Sequence, residues 1–316
     1  VRSKADVHVH TRYSGFGQYG VITFPESVCP PEAVVDEARR KGMRVLCITD
    51  HDSVRGALRA REYAKRFDDL EVVIGSEISA AEGEVIGLFI EEEVPQGLPV
   101  RETIDRIRAQ GGLVVAPHPF SCHVPALRDL VDELEIDGFE VLNGGHVDGY
   151  ANDAAKNHAM NGRWARLAGS DAHSTGQIGC CYTTFEGETA EDLYKAILAK
   201  ATAAEGEVAT LQMGIKWTVQ VVLNTDLLIL RSLFHPLKSD DPEDPLVKKI
   251  NIMRGENKLA ALISSSIYLT PPIPILTGVT GVKVMRKLNR SNGFHQDGVS
   301  RRNNGHGLGR PGPRRP

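Results

Sequence analysis

Through the first two-thirds of the chain, short unbroken apolar runs alternate with stretches whose apolar positions recur every three to four residues. The runs predict buried strands and the recurring positions predict amphipathic helices. Lys4–His10 reads as a first strand and the glycine-rich stretch 11–20 as a loop. A helix opens on Pro30-Pro31-Glu32 and stops at Gly42, proline early and glycine late. Arg44–Ile48 is a buried strand that ends in Thr49-Asp50-His51-Asp52, after which Ser53 opens a helix through Ala57, Ala60 and Ala64. Glu71–Ile74 is a strand ending in Gly75-Ser76-Glu77, and Glu84–Ile90 is another. The unit then repeats: helix Val100–Gln110, strand Leu113–Ala116, helix Pro125–Leu134, strand Gly138–Leu142, helix Ala151–Asn161, strand Trp164–Ala168, strand Cys181–Phe185 and helix Thr189–Lys200.

Strands alternating with helices of this length argue for parallel β/α units, and about seven of them argue for a sheet that closes into a barrel. Barrels of this kind carry their chemistry at the C-terminal ends of the strands. That is where the polar clusters fall: His8/His10, His51, Glu77, His118 and Asp171/His173 each directly follow an apolar run. In an extended segment residues i and i+2 share a face, so His8 and His10 can aim two imidazoles at one point.

Composition narrows the chemistry. The net charge of −4 lacks the basic excess of a nucleic-acid binder. Five cysteines, odd in number and without a C-x-x-C pair, suit a reduced, cytoplasmic protein, and no apolar leader opens the sequence. Eight of the eleven histidines lie before position 174, which separates the chain into a histidine-rich part and a different final third. Five histidines and two carboxylates at the strand ends exceed the needs of one ion. The surplus points to two or three divalent ions sharing a carboxylate. Mixed nitrogen and oxygen donors suit Zn, Mn or Fe, and clustered ions suit phosphoester hydrolysis by a metal-activated water.

H-x-H at 8–10, I-T-D-H-D at 48–52, G-x-E at 75–77, P-H-P at 117–119 and S-D-A-H at 170–173 together resemble the motifs of the PHP (polymerase and histidinol phosphatase) family, in that family's order. The resemblance covers residues 1 to about 205. It implies a distorted (β/α)7 barrel and a trinuclear metal centre acting on phosphoesters. His8, His10, Glu77 and Asp171 would hold one ion, Glu77 would bridge to a second held by His118, and His51 with His173 would hold the third. Two positions depart from the family pattern. Gly15 stands where an aspartate ligand is usual, leaving the third ion with two protein ligands, and Glu84 stands where a histidine is usual, offering oxygen to the second ion.

Near these motifs, Arg12 and Arg55 are candidate phosphate clamps. His123, Asn143 and His146 are candidate rim residues, with His146 placed among the substrate contacts. Asp50 and Asp52 are expected to orient His51, and Asp6 the first pair. The expected activity is hydrolysis of a small phosphomonoester or nucleotide. A nuclease, or a non-catalytic, membrane-associated module on a metal-depleted barrel, are the alternatives.

The expected domains are a catalytic barrel over 1–206, a mainly helical apolar extension over 207–290 and a disordered basic tail over 291–316. Within the extension, Gln212–Leu237 is strongly apolar, 239–245 is an acidic linker, and 259–282 holds 24 residues without a charge, interrupted by Pro271, Pro272 and Pro274. Membrane association through 208–290 is one reading of it, with Lys283, Arg286, Lys287 and Arg290 meeting anionic headgroups. Packing of the apolar segments on each other or on the barrel is the other.

Overall fold

A computed structural model describes residues 1–19, 22–147 and 149–291. The expected tail, from 292 onward, lies outside the described residues. Eleven strands and nine α-helices are found among the described residues. Nine strands form one sheet in the order β11 (Ala203–Gly206), β10 (Cys181–Glu186), β1 (Arg2–Val9), β4 (Val45–Ile48), β5 (Glu71–Ala80), β6 (Gly83–Leu88), β7 (Leu113–Ala116), β8 (Gly138–Asn143) and β9 (Ala165–Gly169). The sheet curls until β9 meets β1 and β10, giving a nearly closed barrel.

The barrel is mixed, not all-parallel as the β/α alternation suggests. Pairs β1–β4, β4–β5, β7–β8 and β8–β9 are parallel, whereas β5–β6, β6–β7, β1–β10 and β10–β11 are antiparallel. The cause is local. Only two residues, Ala81 and Glu82, separate β5 from β6, enough for a hairpin and too few for a crossover. Consequently Glu77 lies inside the long strand β5, not at the end of a short one. A further hairpin, β2 (Phe16–Tyr19) with β3 (Ile22–Pro25), occupies the stretch read as loop. The segment near 125–134 forms a short 3-10 helix, Arg128–Glu133, in place of the expected α-helix.

Alternation along the strands divides the core in two. Ala5, Val7, Val45, Cys47, Val73, Ile86, Leu88, Leu113, Val115 and Leu167 fill the barrel interior, closed below by Leu193 and Ile197 of α5 (Ala190–Leu198). Val9, Leu46, Ile48, Val72, Ile74, Val114 and Phe139 face outward. They pack against α1 (Pro31–Arg40), α2 (Arg55–Ala64), α3 (Val100–Ala109) and α4 (Tyr150–His158). The β1–β4 register shifts between Asp6 and Val9. That irregularity hands the inward direction from Ala5 and Val7 to His8 and His10, since a one-residue slip exchanges the faces of a strand. Glu77 shares the inward face with Val73, and Glu84 shares it with Ile86 and Leu88. A polar layer therefore sits directly above an apolar one.

The final third is helical: α6 (Leu211–Phe234), α7 (Pro245–Ile252), α8 (Gly255–Tyr268) and α9 (Ile273–Ser291). The apolar segment after 212 is one continuous helix. The prolines at 271–272 separate α8 from α9 at a bend of 81°. Helix α7 packs against the turn Arg12–Ser14 that follows the first histidine pair.

Candidate metal centre

His8, His10 and Glu77 are buried, and their reactive atoms converge above the apolar layer. In both histidines Nδ1 is committed as a donor. That of His8 faces Glu140 Oε1 at 3.2 Å; that of His10 faces Ser14 Oγ at 2.8 Å, whose own proton goes to Asp50 Oδ1. Both Nε2 atoms then point into the cluster and face each other at 3.0 Å. Glu77 Oε2 lies 3.2 and 3.4 Å from them, and Asp171 Oδ1 3.5 and 3.2 Å. Four donor atoms this close are held together by a cation or by a proton shared among them. Tetrahedral ligands at about 2.1 Å from an ion lie about 3.4 Å from one another, so these residues fit a transition-metal ion.

The cluster continues on both sides of Glu77. On one side, His118 Nε2 lies 2.9 Å from Glu77 Oε1 and 3.7 Å from Glu84 Oε2, while its buried Nδ1 has no hydrogen-bond partner among the described residues. On the other, His51 Nδ1 lies 3.4 Å from Glu77 Oε2, and the His51 and His173 rings stack on His10 with centroids 4.7 and 4.3 Å away. Three sets of donors lie within 4.8 Å of one another: His8–His10–Asp171, His8–Glu77–His118 and His10–His51–His173. His118 and Asp171 adopt positive φ, 25° and 49°, a conformation disfavoured for L side chains that recurs at functional sites.

A residue not expected from the sequence completes the third set. Glu26 Oε2 lies 2.8 Å from His51 Nε2 and 3.6 Å from His173 Nε2. The β2–β3 hairpin carries it there: Phe16 pairs with Pro25, and the Glu26 N–H donates to the Gly15 carbonyl. The carboxylate missing at position 15 is supplied from directly across the hairpin. Burial pushes the Glu26 carboxyl upward, but hydrogen bonds from His173 and His51 outweigh it and hold it well below the usual carboxylate range. Glu140 is a second addition. Besides holding His8, it accepts the His118 backbone N–H at 2.8 Å and the Asn143 amide at 2.8 Å. A lone carboxylate inside the apolar run 138–142 was its only sequence signal.

Several of the expected residues have partners of their own. Arg12, expected as a phosphate clamp, pairs with buried Asp244 at 3.0 Å. Arg55 lies 3.7 Å from Asp241 and 3.9 Å from Glu93. The acidic linker supplies the carboxylates that occupy both. Asp52 accepts from Ser79 N and Oγ, Asp50 from Thr11 and Ser14, and Asp6 from the backbone of Ser170 and Gly179. Asp50 thus orients His10 through Ser14, and His51 is oriented by Glu26 and Glu77. His146 is buried beside His118, with its Nδ1 on Asn143 Oδ1 at 3.0 Å and its Nε2 without a partner among the described residues. Burial, then the neighbouring His118 and His123, hold it neutral, so it offers an acceptor and no charge to an anion.

Close approach of β9 to β1 depends on Gly169. A side chain there would overlap the His8 Cβ and stand 2.8 Å from Glu140 Oε1. Gly169→Ala is expected to destabilise the chain by about 1–3 kcal/mol through overpacking and to weaken metal retention by displacing His8. Denaturant titration and metal analysis of the variant check both.

Protons compete for the same atoms. Burial depresses His51, but Glu77 and then Glu26 raise it to about 10. Burial depresses His118, but Glu77 raises it to about 9. Glu84 is pushed up to about 8 by its burial and by Glu77. At neutral pH the metal-free cluster therefore holds protons that ligation must expel. Because the loaded state binds fewer protons, apparent metal affinity rises with pH until these groups are deprotonated. Each proton expelled contributes about tenfold per pH unit. Competition with a chelating dye at several pH values measures the slope, and a flat profile would contradict it.

A family model for the PHP domain matches residues 6–98, and one for the PHP-associated region matches residues 149–202. An uncharacterized protein of Methanocaldococcus jannaschii is 48% identical over 157 residues, 50% of this chain and 91% of that one. A second from the same organism is 32% identical over 110 residues, 35% of this chain and 91% of that one. Among solved structures, the crystal structure of PsfC from Pseudomonas syringae is similar in fold, with a TM-score of 0.51 at 18% identity over 71% of this chain and 97% of that one.

Proposed function

The chain belongs to the PHP family, and from that premise we propose that it hydrolyses a small phosphomonoester or nucleotide at a centre of two or three divalent ions. The observation that carries this reading is the pair of imidazole Nε2 atoms facing each other at 3.0 Å, bracketed by Glu77 and Asp171. His8, His10, Glu77 and Asp171 would hold one ion, Glu77, His118 and Glu84 a second, and His51, His173 and Glu26 a third. Bound ions would lower the pKa of a water and neutralise the phosphoryl oxygens.

The chain's own residues do the positioning. Glu140 and Ser14 fix the tautomers of His8 and His10, and the backbone carbonyl of Asp171 fixes that of His173 at 3.0 Å. Their Nε2 atoms are thereby aimed into the cluster before anything binds. Glu84 offers an oxygen where nitrogen is usual, which favours Mn over Zn at that position. With Arg12 and Arg55 engaged by the linker, neutralising the substrate's charge falls to the ions. His146 Nε2 is left to accept a hydrogen bond from the substrate.

The Trp217 ring of α6 lies over His173, with centroids 5.4 Å apart, and narrows the approach to the cluster. That supports a small substrate over a nucleic acid, as does the net charge of −4. The catalytic unit is assigned to residues 1–206, because the last barrel strand ends at Gly206. The odd number of cysteines supports a reducing, cytoplasmic location. The test is to strip the purified chain, reload it separately with Zn, Mn and Fe, and measure hydrolysis of p-nitrophenyl phosphate and of nucleoside monophosphates. Metal-dependent turnover is expected; no hydrolysis with any of the three would refute the reading.

A further inference from the structure

The C-terminal helices leave apolar faces exposed while pairing some polar side chains between them. Asp226 of α6 accepts from Ser265 Oγ of α8 at 2.8 and 2.7 Å, and Tyr268 OH donates to Thr218 Oγ1 at 2.8 Å. These polar side chains pair between helices, while a row of apolar ones points outward. On α6, Leu223, Leu227, Leu230 and Phe234 follow the i, i+4, i+7, i+11 spacing of a single face and are 46, 52, 44 and 78% exposed. Helix α8 leaves Leu259, Ile263 and Ile267 exposed, and α9 leaves Leu276, Val284 and Leu288. By length and composition α6 could cross a membrane. It is, however, held along the barrel at two points. Trp217 Nε1 donates to the Glu26 carbonyl at 3.0 Å, and Ile229 is buried with Leu246 and Ile250 against Phe16. Those anchors are about 18 Å apart along the axis, so the helix lies on the barrel and its leucine face can meet only a surface.

Charge identifies that surface. Where the leucine row ends there is a cavity of about 650 Å³ whose walls include Arg231, His235 and Lys238 beside Phe234 and Leu237, with Asp240 the acidic member. Neither Arg231 nor Lys238 makes an ion pair among the described residues. Lys283, Arg286 and Lys287 are exposed on α9 beside Val284 and Leu288. A second copy docked on the same face would set these cations against their like. An anionic bilayer complements both features: acyl chains meet the leucines and headgroup phosphates meet the cations.

We propose that α6, α8 and α9 form a docking surface for one leaflet of an anionic lipid bilayer, with the cavity at Arg231 and Lys238 receiving a headgroup phosphate. The proposal is independent of the reading of the metal centre. The test is flotation of the full chain with vesicles of phosphatidylcholine alone and of phosphatidylcholine mixed with phosphatidylglycerol. Flotation with the mixed vesicles, weakening as salt is raised, is expected. Arg231→Glu with Lys238→Glu should reduce that binding on the order of tenfold or more. Leu223→Ser with Leu227→Ser and Leu230→Ser should abolish it, with circular dichroism and metal content those of the unaltered chain. The proposal is overturned if the unaltered chain floats with neither vesicle, if both variants float as it does, or if it forms a dimer that the leucine variant disperses without any vesicle binding.

Discussion

Replacing Glu77 by Gln is expected to lower kcat/KM for p-nitrophenyl phosphate by at least about a thousandfold, in line with losing a principal electrostatic stabiliser of the transition state. No other side chain touches as much of the cluster. One carboxylate oxygen faces His118 at 2.9 Å, and the other faces His8, His10 and His51 at 3.2, 3.4 and 3.4 Å. A carboxylate can present a lone pair to each of two ions. An amide of the same size presents one oxygen and turns an N–H₂ toward the other position, where it meets a cation or an imidazole. The change therefore separates the two halves of the centre without altering volume. Burial raises the Glu77 carboxyl, yet His8, then His51, hold it well below its ordinary range, so at neutral pH it supplies a full negative charge to this pocket. Metal analysis should show fewer ions per chain while circular dichroism remains that of the unaltered protein. A variant that retains both its ions and its turnover would remove Glu77 from the bridging position.

The parts of this candidate centre legible in the sequence share one property: each donor follows an apolar run, so strand alternation alone places it. His8, His10, His118, Asp171 and His173 are of that kind. Their supports were not legible, because hydrogen-bond partners come from elements distant in sequence. Proximity in sequence pairs Asp50 with His51, whereas the fold sets it on Ser14, which holds His10. Arg12 and Arg55 looked like phosphate clamps because they flank the motifs. Their partners Asp241 and Asp244 lie about two hundred residues away, in a linker whose position no local pattern specifies. The barrel was legible as a class of fold but not in strand direction, since apolar runs do not distinguish a hairpin from a crossover. Only the two-residue gap at Ala81-Glu82 held that information.

Glu26 is the sharpest case, and it carries the second large prediction. The sequence suggested an incomplete third position, because Gly15 stands where an acidic ligand is usual. The hairpin resolves the deficit by bringing a carboxylate eleven residues further on to the backbone of Gly15 itself. Gly15 has φ of 78°, so an aspartate there would sit in strained backbone, and the ligand is better placed on the opposite strand. Glu26→Ala should remove one ion per chain and lower kcat about a hundredfold, the scale of losing one contributor to transition-state charge. The ions held through His8, His10, Asp171 and His118 should remain. Glu26→Asp should recover part of the loss, because the shorter side chain keeps the charge at the same strand position. Trp217 offers an independent check on the route. It holds the Glu26 backbone carbonyl and packs against the His173 ring, so Trp217→Phe should weaken the third ion without removing it. If Glu26→Ala keeps its full complement of ions and its rate, the carboxylate beside His51 and His173 is a structural acceptor, and the centre has two ions, not three.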